Sequence, residues 1–267
     1  MPGISFELDD RVCVVTGGTS GIGLATADLM LQAGARVAIC GRDESRLQAA
    51  MAQLRKVHGE TRVFGQRCNV LDETDVRRFA GAVEERLGEA SVLVNNAGQG
   101  RWSKFADTTD DAWREELDLK FFSIIRPTRA FTRQLAQSGS GSIVCANSML
   151  AKQPEPFMVA TSAARAGVLN LTHSLAIELA PQRIRVNSIL IGIIDSGQWR
   201  RRYKAEASPG QSWEDWTAGL SRDRHIPMGR FGTPSEAAHA ILFLASPLAS
   251  YTTGSYIDLT GGNSRHV

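Results

Sequence analysis

The fold is decided by residues 12–30, which read VCVVTGGTSGIGLATADLM. The apolar, β-branched run that ends at Thr16 is typical of a buried strand, and the stretch from Gly21 has the spacing of a helix. Between them, Gly17, Gly21 and Gly23 permit a tight turn and a close approach of backbone N–H groups to a ligand. A strand, a glycine-rich turn and a helix N-terminus in this order predict a pyrophosphate site, and a purely structural turn is the alternative.

The alternation of short apolar runs with amphipathic stretches continues to about residue 190. The predicted strands are Arg11–Thr16, Ala35–Cys40, Arg62–Arg67, Val92–Asn95, Ser142–Ala146, Arg185–Leu190 and Ser255–Leu259. The predicted helices are Gly21–Ala33, Asp43–Val57, Asp72–Leu87, Asp110–Gln137, Phe157–Ala180 and Pro234–Leu244. This pattern predicts an α/β fold with a doubly wound parallel sheet, the Rossmann fold, formed by a single domain over residues 1–267. Residues 195–233 interrupt the pattern and predict a segment that covers a binding site.

Composition restricts the classes of function. The chain has 30 basic and 28 acidic residues, a formal charge of +2, which argues against nucleic acid or a membrane surface as a partner. The four cysteines share no CxxC spacing and are expected to be reduced and buried, so we expect no metal site. No basic-then-apolar leader is visible within residues 1–10. A cytoplasmic location is therefore expected.

Several motifs in order resemble the short-chain dehydrogenase/reductase family. The glycine-rich turn has the family's TGxxxGxG spacing, and residues 95–98 resemble its NNAG motif. Residues 185–188 resemble its sixth strand, and residues 253–254 and 260–262 resemble its C-terminal motifs. The similarity runs from residue 11 to about 262. It implies an oxidoreductase that binds a nicotinamide dinucleotide and assembles as a homodimer or homotetramer through the helices at 110–137 and 157–180.

The residue after the second strand bears on which dinucleotide binds. An acid there would bond a ribose 2′-hydroxyl, whereas this chain has Gly41 followed by Arg42, which suits the 2′-phosphate of NADP(H). The alternative is that Arg42 pairs with Asp43 or Glu44. Asn69 stands where the family often has an Asp near the adenine. The turn and the resemblance together assign cofactor contacts to Gly17, Thr19, Ser20, Gly21, Ile22, Gly23, Arg42, Asn69, Val70, Asn96, Ala97, Gly98, Arg165, Gly192, Ile194 and Ser196.

The family's catalytic pattern is changed at three of four positions. Ser148 matches the family's serine, but the positions of its tyrosine and lysine are Thr161 and Arg165, and that of its asparagine is Lys120. A threonine hydroxyl is a much weaker acid than a phenol, and Arg165 cannot accept a proton. The standard proton transfer is therefore expected to be absent. Lys120 is the candidate general acid or base, since burial and a neighbouring cation would lower its pKa. Alternatively, Lys120 extends to solvent or pairs with Asp118 or Glu116.

Aromatic and basic residues are concentrated in the segment 195–233. They are Trp199, Arg200, Arg201, Arg202, Tyr203, Lys204, Trp213 and Trp216. Such a cover suits an anionic substrate, a carboxylate or an acyl thioester of coenzyme A; a solvated helix face or a subunit contact is the alternative. Trp102 is a further candidate for the pocket wall.

The resemblance favours an NADP(H)-dependent oxidoreductase of a carbonyl/alcohol pair with an altered proton relay. A reductase of a polarised C=C bond is a second enzymatic interpretation. The alternative from another class is a catalytically silent NADP(H)-binding partner or sensor protein.

Overall fold

The computed structural model describes residues 5–265 and contains one seven-stranded parallel sheet with helices on both faces. The strands are β1 (Val12–Thr16), β2 (Arg36–Gly41), β3 (Val63–Arg67), β4 (Ala90–Asn95), β5 (Gly141–Ser148), β6 (Ile184–Ile191) and β7 (Tyr256–Leu259). The helices are α1 (Gly21–Gln32), α2 (Glu44–His58), α3 (Glu73–Leu87), α4 (Asp110–Gln137), α5 (Val159–Leu179), α6 (Gly197–Glu206), α7 (Trp213–Asp223) and α8 (Pro234–Ala245). The predicted doubly wound α/β fold is confirmed. Residues 1–4 and 266–267 of the predicted domain lie outside the described residues.

The order of the strands explains where a ligand can bind. They lie in the order β3-β2-β1-β4-β5-β6-β7, so the chain winds away from β1 in both directions. At such a reversal the loops after adjacent strands diverge and leave a crevice at the carboxyl ends of the strands. The crevice lies beyond β1 and β4, where the glycine-rich turn and the NNAG motif begin.

Both faces of the sheet are buried. One apolar cluster packs α1, α2 and α8 on one face and includes Met30, Leu54 and Ile241. The other packs α3, α4 and α5 on the opposite face and includes Phe79 and Phe131. Since the strands contact apolar side chains on both sides, their sequences are almost continuously apolar rather than alternating.

The segment at 195–233 differs most from the sequence-based picture. It contains two helices, α6 and α7, where the sequence predicts a covering segment without assigning helices to it. Their aromatic residues pack on one another: Trp216 and Phe231 are buried, and Trp199, Tyr203 and Trp213 pack against them. This small separate core fixes α6 and α7 above the carboxyl ends of the strands. No helix within residues 5–265 is long and apolar enough to cross a membrane.

The start of α3 offers a test of local stability. The side chain of Asp72 accepts a hydrogen bond from the backbone N–H of Asp75 at 2.9 Å and caps the helix. We expect Asp72→Ala to lower the free energy of unfolding by about 1 kcal/mol, because an N–H of the first turn loses its partner. Asp72→Ser should retain most of the stability. Urea denaturation of the two variants measures the difference, and equal stabilities would show that the cap contributes nothing.

Candidate active site

The glycine-rich turn is held against β4 by Thr16 and Asn96. The Thr16 hydroxyl donates to the carbonyl of Val94 and accepts from the backbone N–H of Asn96 at 3.0 Å. The Asn96 side chain donates in turn to the carbonyls of Thr16 and Gly17, both at 3.2 Å. A Cβ on Gly23 would lie 2.3 Å from the Gly17 carbonyl oxygen, so α1 can approach the turn this closely only with glycine there. These contacts fix the position of the turn relative to β4.

Two adjoining cavities occupy the crevice, a smaller one of about 290 Å³ and a larger one of about 880 Å³. Of the predicted cofactor residues, eleven line the smaller cavity: Gly17, Thr19, Ser20, Ile22, Arg42, Asn69, Val70, Asn96, Ala97, Gly98 and Ser196. The larger cavity is lined by Ile22, Arg165, Gly192, Ile194 and Ser196 from the same prediction. Gly21 and Gly23 line neither cavity.

The smaller cavity fits the adenosine and pyrophosphate part of a dinucleotide. Ser20 begins α1 without a side-chain cap, so its side chain does not occupy the helix N-terminus. A Cβ built on Gly21 meets nothing within 4 Å, which shows open space above the turn. An extended anion can therefore reach the positive end of α1.

Arg42 is exposed at the edge of the smaller cavity. The neighbouring Asp43 caps α2 by accepting from the backbone N–H of Arg46 and also pairs with the Arg46 side chain at 3.2 Å. The alternative pairing of Arg42 with Asp43 is thus not what the structure contains. Asn69 uses its side-chain oxygen to accept from the backbone N–H of Leu71, which fixes the loop after β3.

The larger cavity contains the positions that correspond to the family's catalytic residues. Ser148, at the end of β5, and Thr161 and Arg165, on α5, all line it. The Ser148 hydroxyl donates to the carbonyl of Ile191 at 3.3 Å, and the Ser148 N–H is held by Asn147 at 2.9 Å. Lys120 does not line the cavity.

Lys120 lies behind Thr161, connected to it through Glu116. The Glu116 and Lys120 side chains are both 2% exposed, and Lys120 Nζ lies 2.7 Å from Glu116 Oε1. The hydroxyl of Thr161 donates to the same Oε1 atom. Lys120 Nζ also donates to the carbonyl of Gln99 at 2.6 Å. A continuous path of hydrogen-bonded atoms therefore runs from the cavity wall at Thr161 to a buried amine.

The charges around this path change the pKa of Lys120. Burial and, after it, the positive charge of Arg165 lower the pKa of Lys120 to about 8, against the opposing hydrogen bond and charge of Glu116. Burial also lowers the pKa of Arg165 to about 10, with Glu116 again opposing. Arg165 Nη1 donates to the carbonyl of Ala146 at 2.8 Å, and its buried Nε has no partner among the described residues. Lys120 can thus exchange a proton near neutral pH, while Arg165 stays charged.

Sequence reasoning identified Glu116 only as a possible partner of Lys120. Its spacing of four residues from Lys120 on one helix indicates that pair, and the structure contains it. Glu116 and Thr161 are 45 residues apart in the chain, and no pattern in the sequence indicates that they are in contact. Arg101 was missed as well; its backbone N–H and carbonyl both bond to the Thr161 hydroxyl, at 3.3 and 3.2 Å.

Among the described residues, the cysteines and acidic side chains form no second candidate site for metal binding or thiol chemistry. All four cysteines are free and buried, and burial raises the pKa of Cys13 to about 12 and that of Cys145 to about 11. In the part of the chain that the structure describes, no group of three or more His, Cys, Asp or Glu residues could hold a metal ion.

Comparison with known proteins places this architecture in a family. The family model described as Enoyl-(Acyl carrier protein) reductase matches residues 17–264. A putative ketoacyl reductase of the monensin polyketide synthase from Streptomyces virginiae is 36% identical over 255 residues, which cover 94% of this chain and 96% of that protein. The chain belongs to the short-chain dehydrogenase/reductase family, and it is an oxidoreductase.

Three solved structures, of two proteins, are closely similar. A short chain oxidoreductase from Pseudomonas aeruginosa PAO1, described as containing an atypical catalytic center, is 61% identical in its apo form, with a TM-score of 0.95 over 97% of this chain and 99% of that one. Its NADPH-bound form is 60% identical, with a TM-score of 0.93 over all of both chains. L-sorbose reductase from Gluconobacter frateurii, solved with NADPH and L-sorbose, is 29% identical, with a TM-score of 0.93 over 99% of this chain and all of that one.

The lowered pKa of Lys120 has a consequence for stability. Between pH 8 and 10.5 the unfolded chain, in which Lys120 has its ordinary pKa of 10.5, binds more protons than the folded chain. The contribution of Lys120 to the free energy of unfolding should therefore rise with pH across this interval. We expect the stability difference between the wild type and Lys120→Met to grow from pH 8 to 10.5, measured by urea denaturation at fixed protein concentration.

A second variant keeps the test usable if Lys120→Met does not fold. Lys120→Met leaves the Glu116 carboxylate buried without its partner, which typically costs about 3–5 kcal/mol. The double variant Glu116→Gln/Lys120→Met removes both charges and should recover part of that loss. A pH-independent difference between the wild type and both variants would contradict a lowered pKa at Lys120.

Proposed function

We propose that this chain reduces a carbonyl group with NADPH, or oxidises the corresponding alcohol with NADP, through a relay in which Thr161 passes a proton between substrate and the Glu116–Lys120 pair. The observation that supports it is the single Glu116 oxygen that contacts both Lys120 Nζ and the Thr161 hydroxyl. Use of NADP(H) accords with the NADPH-bound Pseudomonas aeruginosa and Gluconobacter frateurii enzymes.

The cofactor contacts follow from the two cavities. The turn at Gly17–Gly23 and the N-terminus of α1 would hold the pyrophosphate, and Arg42 the 2′-phosphate. Gly192, Ile194 and Ser196 would line the nicotinamide side, where the two cavities join. NADPH supplies a hydride when it is bound.

The protein's own part is to supply the proton. The Thr161 hydroxyl, which donates to Glu116 in this structure, would turn its proton to the substrate oxygen and transfer it as that oxygen gains negative charge. The Thr161 oxygen takes a replacement proton from Glu116, which takes one from the Lys120 ammonium. Lys120 is left as a neutral amine and Glu116 is again a carboxylate. Once the product has left, Lys120 would regain a proton along the same path, from water in the cavity at Thr161. Oxidation of an alcohol would run in the opposite direction. Thr161 is a conduit here, because a threonine hydroxyl is too weak an acid to be the source.

Ser148 and Arg165 have supporting roles in this proposal. The Ser148 hydroxyl lies on the cavity wall and can orient the substrate oxygen by a hydrogen bond if it turns from the Ile191 carbonyl, its acceptor in this structure. Arg165 can donate to a ribose oxygen through its unpartnered buried Nε and keeps the pKa of Lys120 low by its charge. Because Arg165 does not release its proton near neutral pH, Lys120 is the one of these two cations that changes its protonation state.

Compartment and assembly belong to the same proposal. A reducing cytoplasm suits four free thiols that are all buried. A homodimer or homotetramer through α4 and α5 suits two helices that pack together and carry Leu117, 37% exposed, and Ile177, 67% exposed. A single domain, in which residues 195–233 cover the substrate, suits Trp199 and Arg202 of α6, which line the larger cavity.

Cofactor preference is tested at Arg42. We expect NADPH to bind at least about tenfold more tightly than NADH, and Arg42→Ala to remove most of the difference, because a hydrogen bond to a charged group contributes roughly 1.5–3 kcal/mol. Arg77→Ala is the control, since Arg77 is exposed on α3 and pairs with Glu73. Calorimetric titration with both dinucleotides gives the affinities. Equal affinity of the wild type for NADH and NADPH would refute the role of Arg42.

The relay is tested by turnover of a carbonyl panel with NADPH. Thr161→Ala, Glu116→Gln and Lys120→Met should each lower kcat by about 100-fold or more, as expected for loss of general acid catalysis. Thr161→Ser keeps the hydroxyl and should retain activity. NADPH affinity should stay within a few-fold of the wild type in all four variants. Full activity of Glu116→Gln would exclude the relay.

The pH profile supplies a second readout of the relay. Reduction requires protonated Lys120, so kcat/KM should fall as pH rises through about 8. In Lys120→Met, the kcat/KM of any residual activity should show no fall near pH 8. Absence of turnover by the wild type over the whole panel, with tight NADPH binding, would favour a silent NADP(H)-binding protein instead.

A further inference from the structure

The outer part of the larger cavity has a feature that proton transfer does not use. Two stacked aromatic rings, Trp102 and Phe157, carry a guanidinium beside each ring, from Arg202 and Arg224. We propose that this group of four side chains is a carboxylate-binding subsite, so that the preferred substrates are carbonyl compounds whose apolar body ends in a carboxylate. This inference rests on the proposed function, because it assumes that the larger cavity accepts the carbonyl substrate.

The arrangement of the four side chains is well defined. The Trp102 and Phe157 rings stack with centroids 4.7 Å apart at an interplanar angle of 22°. The Arg202 guanidinium lies 5.9 Å from the Trp102 centroid and 5.3 Å from that of Trp199, and the Arg224 guanidinium lies 5.1 Å from the Phe157 centroid. Contact with ring faces orients a guanidinium and removes part of its hydration. These long side chains are therefore already ordered in the free protein, so they lose less conformational entropy when a ligand binds.

Arg202 has a donor group that the protein leaves unsatisfied. Its Nε lies 2.7 and 2.8 Å from the two carboxylate oxygens of Glu206, one turn further along α6. Its Nη1 is buried and has no hydrogen-bond partner among the described residues. An unpaired buried donor carries a free-energy cost, which an acceptor on a ligand would remove. Glu206 thus holds the guanidinium in place and leaves Nη1 without a partner among the described residues.

The small aromatic core under α6 keeps Arg202 at the cavity. The Trp199 ring packs against Phe231 at 5.1 Å and Trp216 at 6.3 Å between centroids. Arg200, by contrast, pairs with Asp195 and lies over Trp213, and it does not line the cavity. The basic run of α6 is therefore divided, and Arg202 is the member that faces the substrate space.

The other residues that line the larger cavity suit a ligand with an apolar body and a negatively charged end. Five basic and two acidic side chains line the larger cavity, the acids being Glu155 and Asp223. Apolar side chains line the same cavity, among them Met149, Leu150, Met158 and Ile193. A neutral ligand would offer no charged acceptor to Arg202 Nη1 or to Arg224, and a ligand without apolar surface would leave the apolar walls in contact with water.

The experiment compares a keto acid with its neutral ester. The probes are 4-acetylbenzoate and methyl 4-acetylbenzoate, which share the ketone and the aromatic ring and differ in charge. Their binding to the protein with and without saturating NADPH is measured by calorimetry, so the result does not require turnover. We expect the acid to bind at least about tenfold more tightly than the ester, as one charge-assisted hydrogen bond predicts, and its affinity to fall as salt is added.

Variants assign the preference to the two arginines. Arg202→Gln and Arg224→Gln should each remove most of the preference for the acid, with the affinities for the ester and for NADPH nearly unchanged. Arg201→Gln and Arg222→Gln are matched controls, because they make the same charge change at exposed positions that do not line the cavity. Both controls should discriminate like the wild type.

The outcomes separate this proposal from the proposed function. Equal binding of acid and ester, or an unchanged preference in both Arg202→Gln and Arg224→Gln, would overturn the carboxylate subsite. Tighter binding of 4-acetylphenyl phosphate than of the carboxylate by tenfold or more would overturn the assignment to carboxylates. Selective binding of the acid that is lost in Arg202→Gln and Arg224→Gln would support the subsite even if the carbonyl panel showed no turnover, and that lack of turnover would contradict only the proposed reduction.

Discussion

The hydrogen bonds between Thr16 and Asn96 fasten the end of β1 to the end of β4, at the place where the order of strands reverses. Because the loops after these strands diverge, this contact forms the floor of the crevice from which both cavities open. The Asn96 side chain also holds Gly17, and Gly17 limits how close α1 can come. The position of the helix N-terminus, and hence of any pyrophosphate, is set by a few short contacts between two adjacent strands.

The regular part of the fold could be predicted from the sequence because periodicity and burial agree along it. The strand at 142–146 was recognised from its apolar run, and it extends in the structure to Gly141–Ser148. The bounds of α4, Asp110–Gln137, were predicted without error. α6 and α7 were not recognised, because their aromatic residues bury one another in a separate small core instead of forming a stripe against the sheet.

Sequence could predict only those residues of the candidate site that are identified by their spacing along the chain. Ser148, Thr161 and Arg165 follow from spacing, and all three line one cavity. Whether Lys120 reaches that cavity depends on which partner it finds in three dimensions, and the buried carboxylate of Glu116 holds it behind Thr161. The unpartnered Nη1 of Arg202 depends on how α6 packs, which no pattern in the sequence reports.

The replacements at 120, 161 and 165 depend on one another through charge. Arg165 brings a buried cation that cannot be discharged near neutral pH, and a second buried cation at Lys120 would be costly beside it. Glu116 compensates this charge, and its Oε1 atom satisfies both Lys120 and Thr161. Removal of Glu116 or of Lys120 leaves the other as an unpaired buried charge, and the charge of Arg165 acts on both. The same balance leaves Lys120 with a lowered pKa, so the charge compensation that stabilises the buried cluster also provides a group that can exchange a proton.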